Sequence, residues 1–341
     1  MDDDGVMRRD DEPIAEPTEG PPVVRCQGSW LEMGRQYGEE LRAEVADASR
    51  AIEELAMAAG YDRAGLRARV NDYVPYAREL PSRWDELVGV AQGSCLAIED
   101  VLLMQMLEDL LDVDACTTAG RAGFLLHAEM WFASHTDYAV SISEPTDGPP
   151  VITVSCIGFL TGVGLNGSGF AMGVQSTSSR DARVGVPRAM VSRSALCASS
   201  AAEAVREATR HHRSGGNGFV IATPTGVQVV ETSATIDDVT EQRPWAAHTN
   251  HYVSDRFQAV ANSEGESAQR LEEAAATIGS VSDRELRERA RSLVQSPGFV
   301  PRGPDRSVVT AFVMLADVEL GSVEIAPGGG GTGLWVRVTL P

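Results

Sequence analysis

One cysteine stands where the pattern of the sequence changes from helical to strand-like. Cys116 lies in the run Asp114-Ala115-Cys116-Thr117-Thr118. A cysteine thiol is a strong nucleophile once a base has taken its proton. If the peptide bond between Ala115 and Cys116 were cut, the freed α-amine, with an ordinary pKa of about 7.7 to 8.0, could accept that proton near neutral pH. The position therefore favours a cysteine nucleophile that carries its own base.

The other interpretation of Cys116 is a small buried hydrophobe, which is the common role of a free cysteine. The chain has five cysteines, an odd number without any C-x-x-C pair. Cysteines spaced so widely favour neither a disulfide framework nor a thiolate zinc site. They are Cys26, Cys95, Cys116, Cys156 and Cys197.

A second polar group is the segment His248-Thr249-Asn250-His251. Two histidines three residues apart could bind a metal from one face of a helix, but this segment lacks a helical pattern and no H-E-x-x-H motif or cysteine partner accompanies it. The other interpretation is a polar loop with a buried, hydrogen-bonded histidine, in which Asn250 donates its amide to a developing oxyanion. We predict no metal site here.

Residues 162–167 have the form G-x-G-x-x-G, which is the pattern of a dinucleotide-binding loop. Such a loop must open a helix whose N-terminus receives the pyrophosphate. Here Asn166-Gly167 separates two runs of alternating hydrophobic residues, as a tight hairpin turn with positive φ values does. We therefore predict a turn at this position and no nicotinamide cofactor.

The elements around these residues form two blocks. Before Cys116 the hydrophobic spacing is helical, and Ser29 with Glu32 forms a capping-box motif. After Cys116, runs of period two with Gly and Asn turns predict antiparallel strands, interrupted by four helices. The predicted helices are 29–60, 66–80, 84–93, 97–111, 188–197, 201–211, 269–278 and 283–294, and the predicted strands are 124–128, 138–143, 151–156, 161–165, 170–175, 219–222, 227–231, 308–315, 322–325 and 334–339.

Composition limits the class of protein. Of the 341 residues, 43% are hydrophobic and 23% are charged, which is typical of a globular chain, and a net charge of -20 argues against a nucleic-acid partner. Helices and strands in blocks favour an α+β fold with αββα layering. Residues 1–22, rich in Asp, Glu and Pro, predict a disordered acidic tail. Without a signal segment or a membrane span, we expect a cytoplasmic location and no membrane partner.

Four segments resemble the acyl-coenzyme A:6-aminopenicillanic acid acyltransferase family, which belongs to the N-terminal nucleophile hydrolase superfamily. Residues 28–38 are similar to the family's G-x-x-x-E-x-G-x-x-x-G motif, and residues 114–118 resemble its self-cleavage site. Residues 163–169 resemble its G-x-N-x-x-G hairpin, and residues 247–251 resemble its H-T-N-H segment. The similarity extends from about residue 24 to near the C-terminus.

The resemblance implies an α+β fold, a four-layer αββα sandwich with an N-terminal helical segment, in one structural domain. It also implies self-cleavage of the bond between Ala115 and Cys116. The products are a helical N-terminal part, residues 23–115 with the tail before it, and a catalytic part, residues 116–341, which remain associated. Cys116 then occupies the family's nucleophile position, and Asn250 occupies the position that stabilises the oxyanion.

The chain departs from the family pattern after the nucleophile. Relatives carry an aspartate that orients the amine and the substrate, where this chain has Met130 or, with a shift of one residue, Trp131. Glu129 is the nearest carboxylate, and it either replaces this aspartate or is a structural side chain. Arg306 lies near a family arginine that helps at the active site, and its alternative role is a solvent-facing ion pair with Asp305.

We therefore predict an N-terminal-cysteine amidohydrolase or acyltransferase that acts on the amide or thioester bond of a small N-acyl compound. No cofactor is required, and acyl-coenzyme A is an open choice of acyl donor. The alternative is an unprocessed, non-catalytic protein of the same fold that binds an acylated small molecule or a partner. The predicted catalytic residues are Cys116, Asn250, Glu129 and Arg306, and the predicted substrate contacts are Thr117, Trp131 and His248.

Overall fold

The structure is a computed structural model that describes residues 20–111, 116–210, 212–262, 266–300, 308–331 and 333–341. The predicted acidic tail lies outside these ranges as far as residue 19. Ala115 and Arg306, two of the predicted site residues, also lie outside the described residues. The predicted nucleophile Cys116 is inside them.

Six helices precede Cys116 in the described part of the chain. Ser29 caps the first: its Oγ accepts from the Glu32 N–H, and the Glu32 carboxylate accepts from the Ser29 N–H, so the predicted capping box is confirmed. The predicted helices 29–60 and 97–111 are each broken, at Leu41 and Met106, because the backbone angles of these two buried residues leave the helical region. The helices are α1 (Trp30–Glu40), α2 (Arg42–Ala58), α3 (Arg63–Ala77), α4 (Pro81–Ser94), α5 (Ile98–Gln105) and α6 (Leu107–Leu110).

Helices α1 and α4 cross with their backbones almost in contact. Gly34 and Gly38 of α1 face Gly89 and Gly93 of α4. A Cβ atom on Gly34 would lie 2.0 Å from the carbonyl oxygen of Glu86, which is far inside any real contact. The glycine spacing in residues 28–38 therefore serves helix packing, because only glycine allows this close an approach.

The strands form two sheets. The first has the order β1-β4-β5-β6-β7-β8-β9-β10, and the second has the order β11-β2-β3-β12-β13-β14. Neighbours are antiparallel except for β1 and β4, which are parallel. The strands are β1 (Val23–Gly28), β2 (Cys116–Arg121), β3 (Phe124–Phe132), β4 (Tyr138–Pro145), β5 (Val151–Cys156), β6 (Gly164–Asn166), β7 (Phe170–Thr177), β8 (Gly216–Thr223), β9 (Gly226–Thr232), β10 (Asp237–Val239), β11 (Trp245–His248), β12 (Val308–Asp317), β13 (Ser322–Pro327) and β14 (Val336–Thr339).

Four layers result from the packing of these sheets. The remaining helices are α7 (Arg188–Leu196), α8 (Ala201–Ala208), α9 (Ser267–Gly279) and α10 (Asp283–Leu293). Strand β3 is buried on both faces: Leu125 and Trp131 join the large core shared with the first sheet, whereas Leu126, Ala128 and Met130 pack in a second core with α9 and α10. The predicted αββα sandwich is confirmed.

The G-x-G-x-x-G segment forms a hairpin, as predicted. Strands β6 and β7 pair antiparallel, and the Gly169 N–H donates to the Asn166 carbonyl across the turn. The prediction of positive φ at Asn166-Gly167 is wrong, because within this turn the positive φ, 92°, belongs to Gly169. No helix follows the segment directly, so the dinucleotide interpretation fails.

None of the helices among the described residues combines the length and the apolar character that crossing a membrane requires.

Candidate active site

Cys116 begins strand β2 and lies directly opposite Glu129 of β3. Facing residues of an antiparallel pair project their side chains to the same side of the sheet, here toward the other sheet. The Cys116 thiol donates a hydrogen bond to Glu129 Oε1 over 3.1 Å. Glu129 was predicted either to replace the family's aspartate or to be a structural side chain. Its direct contact with the sulfur favours the first role. Met130, the next residue, points to the opposite face and packs with α9 and α10.

The backbone nitrogen of Cys116 is held by Asn250, which follows strand β11. The Cys116 N–H donates to Asn250 Oδ1 over 2.8 Å. Asn250 is itself fixed: its Nδ2 donates to the Ser176 carbonyl over 2.9 Å, and its N–H donates to Ser267 Oγ over 2.8 Å. Asn250 is therefore placed to orient the nitrogen that self-cleavage would convert into an amine.

Arg270 of α9 is a site residue that the sequence analysis missed. One of its guanidinium nitrogens, Nη1, donates to the Cys116 carbonyl over 2.9 Å and to Thr117 Oγ1 over 3.1 Å, and Nη2 donates to Asn250 Oδ1 over 2.9 Å. The available signal was its place on the buried face of an amphipathic helix, where an arginine is costly unless it is paired. The buried positions of α9 are Ser267, Arg270, Ala274 and Ile278.

A chain of hydrogen bonds extends from the thiol between the two sheets. Glu129 Oε2 contacts His127 Nε2 at 3.0 Å, and His127 Nδ1 contacts Thr118 Oγ1 at 2.7 Å. Gln175 of β7 donates to the same threonine oxygen. His127 and Thr118 are fully buried, and Gly173 of β7 makes room for them, since a Cβ there would lie 2.4 Å from Thr118 Oγ1. These groups form one connected polar network inside an apolar sandwich.

The environment of Cys116 disfavours its thiolate. Burial raises the pKa of the thiol well above its usual value, and the carboxylates of Glu129 and Glu108 raise it further. Cys116 as a whole residue is only 5% exposed. A neutral thiol at physiological pH needs a base in contact with it before it can attack a carbonyl.

The predicted substrate contacts are all buried. Thr117 faces α9 and accepts from Arg270, whereas Trp131 lies between the sheets with its ring 5.0 Å from that of Phe159. His248 Nε2 contacts Glu231 Oε1 at 3.0 Å. Contact of these residues with a substrate stays a prediction.

The pair of Glu231 and His248 braces the segment that carries Asn250. Besides His248, the Glu231 carboxylate accepts from the N–H groups of Val253 and Ser254. Burial acts to raise the pKa of Glu231, but these hydrogen bonds outweigh it and hold the pKa below its usual value. His251 Nδ1 contacts Ser267 Oγ at 2.8 Å. Both histidines of the H-T-N-H segment thus have protein partners, and among the described residues no group of three or more His, Cys, Asp or Glu side chains is arranged to hold a metal ion.

A small polar cavity of about 90 Å³ lies beside the site, where β7 ends and β8 begins, near α6 and α7. Ser176 connects the two, because its carbonyl accepts from Asn250 and its Oγ accepts from Arg188 over 2.6 Å. The charged residues that line the cavity are Arg69, Arg183, Arg188, Glu108 and Asp109.

A model of the acyl-coenzyme A:6-aminopenicillanic acid acyl-transferase family matches residues 120–295, more than half of the chain. The chain belongs to this family. The match confirms the resemblance and contains Glu129, Asn250 and Arg270, although it begins just after Cys116. The family is one of acyl-transferases, so membership supports an enzyme that acts on an acyl group.

Solved structures similar to this chain include penicillin V acylase from Agrobacterium tumefaciens, with 14% identity and a TM-score of 0.44 over 62% of this chain and 83% of that one. Another is a Caenorhabditis elegans ortholog of N-acylethanolamine-hydrolyzing acid amidase, with 14% identity, a TM-score of 0.43 and coverage of 60% and 94%. A third is a mutant conjugated bile acid hydrolase from Clostridium perfringens, with 12% identity, a TM-score of 0.43 and coverage of 66% and 92%. No curated protein sequence matches the chain.

Proposed function

We propose that the protein is an amidohydrolase or acyltransferase activated by its own cleavage between Ala115 and Cys116, and that it acts on the amide or thioester bond of a small N-acyl compound through an acyl-cysteine intermediate. One observation carries the proposal. Both atoms that would form the catalytic unit are held by separate partners, the nitrogen of Cys116 by Asn250 and its sulfur by Glu129.

Activation and turnover use the same sulfur. The Cys116 thiol attacks the Ala115 carbonyl, the acyl group moves from nitrogen to sulfur, and water hydrolyses the thioester to free the α-amine. In turnover the amine takes the proton of the thiol, and the sulfur attacks the substrate carbonyl. Water or an amine then releases the acyl group.

Two residues supply the electrostatics of this reaction. Arg270 brings a positive charge to the Cys116 carbonyl and Asn250, where it favours a developing oxyanion. Asn250 orients the amine through Oδ1 and keeps one amide hydrogen beyond its bond to Ser176. Arg306, in the undescribed part of the chain, stays a predicted catalytic residue.

Hydrolysis and transfer differ in whether water or an amine reaches the acyl-enzyme, which depends on how well the pocket excludes water. We favour hydrolysis. Acyl-coenzyme A stays a possible donor, and no metal or nicotinamide takes part in the proposed steps.

The decisive experiment compares the purified full-length chain with a Cys116→Ala variant by denaturing electrophoresis and N-terminal sequencing. We expect two fragments from the wild type, the larger one starting Cys-Thr-Thr-Ala-Gly, and an intact chain from Cys116→Ala. Incubation with N-acyl amino acids or acyl thioesters should then add one acyl mass to the larger fragment. An intact wild-type chain that turns over such substrates would contradict the proposal.

A second candidate function is an unprocessed protein that binds an acylated molecule without catalysis. It is favoured by the burial of Cys116 and by Met130 or Trp131 at the position where the family pattern has an aspartate. An intact chain in aged material that binds N-acyl compounds without acyl transfer to Cys116 would support it.

A further inference from the structure

Self-cleavage poses a chemical problem that turnover does not. Before the cut, the nitrogen of Cys116 is an amide and cannot accept a proton, so the base that serves the mature enzyme does not yet exist. The thiol is nevertheless buried and must lose its proton to attack. A side chain has to act as the base in this first reaction.

Glu129 is the carboxylate in contact with the sulfur. Its Oε1 accepts the thiol hydrogen bond at 3.1 Å, within the range that proton transfer requires. The contact follows from the register of β2 and β3, which sets Glu129 directly opposite Cys116. Transfer of the proton to this carboxylate moves a negative charge to sulfur and creates no new net charge inside the sandwich.

His127 holds the carboxylate in this position. It is fully buried, and its Nε2 contacts the second carboxylate oxygen at 3.0 Å, which leaves Oε1 turned toward the sulfur. Behind it, Thr118 Oγ1 can donate a hydrogen to His127 Nδ1 or accept one from it, because a hydroxyl is both donor and acceptor.

We infer that Glu129 is the general base of self-cleavage and that His127 is its positioning residue, an inference that rests on the proposed function. As sulfur bonds to the Ala115 carbonyl carbon, its proton passes to Glu129. The bond from that carbon to the Cys116 nitrogen then breaks, and the proton moves from Glu129 to the nitrogen, which leaves as an amine. Water completes the cut, giving its hydroxyl to the acyl carbon and its hydrogen to sulfur. From then on the α-amine is the base.

The test measures the rate of self-cleavage in full-length chains, from appearance of the fragment that starts at Cys116, as a function of pH. Glu129→Gln should slow the cut by about 10²- to 10⁴-fold. Its rate should also become proportional to hydroxide concentration, since only a thiol ionised by solvent can then attack. Glu129→Asp keeps a carboxylate and should restore part of the rate with the pH dependence of the wild type.

His127→Gln should reduce the rate and keep the wild-type pH dependence, because Glu129 is still present. A purely structural role of Glu129 would lower the rate of Glu129→Gln without changing its pH dependence. Among the described residues, the other ionisable groups near the thiol and Glu129 are Glu108 of α6, Cys156 of β5 and Arg270 of α9. All three are unchanged in these variants.

Failure of this inference can be distinguished from failure of the proposed function. Cleavage of Glu129→Gln at the wild-type rate, or with the wild-type pH dependence, overturns this inference and leaves the proposed function standing. A wild-type chain that never cuts itself overturns both. Thermal unfolding of Cys116→Ala with and without Glu129→Gln reports whether the glutamine variant is folded. If it is not folded, the inference is tested by the cleavage rate and pH dependence of Glu129→Asp.

Discussion

Arg270 contacts Cys116 across a separation of 154 residues in the sequence. Such a contact cannot be predicted from local spacing, whereas Cys116 and Asn250 stand in segments with recognisable patterns. Glu129 and His127 are intermediate cases. They are two residues apart on one strand, so the sequence places them on the same face, but only the register with β2 brings that face to the thiol.

Replacing Arg270 should lower the turnover of the cleaved enzyme more than it lowers the free energy of unfolding. Arg270→Gln keeps neutral donors but removes the positive charge, and we expect turnover per cleaved chain to fall by about 10²-fold, as for the loss of an oxyanion-stabilising donor. Arg270→Lys keeps the charge and should retain more activity, although it cannot bridge as many acceptors. Steady-state kinetics with an N-acyl substrate measures the difference. Equal activity of Arg270→Gln and wild type would exclude this role.

Elements with strong local chemistry were predictable. Ser29 and Glu32 mark the start of α1, and the hydrophobic period marks most later helices and strands. The helix breaks at Leu41 and Met106 could not be predicted from the sequence. They depend on tertiary packing, and no Gly or Pro stands at either position. The short strands β1 and β11 were not predicted, because neither has a long alternating run. Each is defined by its pairing, β1 with β4 and β11 with β2.

Close contact between α1 and α4 gives a test at this scale. Gly34→Ala would place a Cβ 2.0 Å from a backbone carbonyl oxygen, which has no room to move without separating the helices. We expect a loss of about 1 to 3 kcal/mol in the free energy of unfolding, the usual cost of overpacking. Gly331→Ala is the control, because its Cβ would meet no atom of the described residues within 4 Å. Urea unfolding in the Cys116→Ala background measures both, and equal stability of the two variants would refute the packing argument.

At the scale of the molecule, the layered fold was predictable from blocks of helices and strands, but the order of strands in each sheet was not. The parallel pair of β1 and β4 joins segments on either side of the whole helical region, and no local pattern reports such a pairing. The chain's net charge of -20 and its buried carboxylates also make its stability depend on pH.

Glu231 is the clearest source of that pH dependence. Its pKa is lowered in the folded protein, so it stabilises the fold at pH values above the pKa of an unfolded glutamate, about 4.3, and this contribution disappears as the pH falls through the lower folded value. Glu231→Gln should cost about 2 kcal/mol at pH 7, comparable to one lost charged hydrogen bond. The cost should shrink toward pH 3 in urea unfolding of the uncut Cys116→Ala protein. A cost that stays constant over this range would contradict the assignment.

Strand β1 belongs to the polypeptide before Cys116, yet it completes the sheet built by the polypeptide after it. If the chain is cut before Cys116 as proposed, that edge strand and the helices behind it become a separate molecule. Refolding of the mature protein from denaturant is then a second-order reaction, whose rate rises with protein concentration, whereas the uncut Cys116→Ala chain refolds at a rate independent of concentration. With the proposed cut, the protein would assemble once, as a single chain, and would be difficult to reassemble after its two parts have separated.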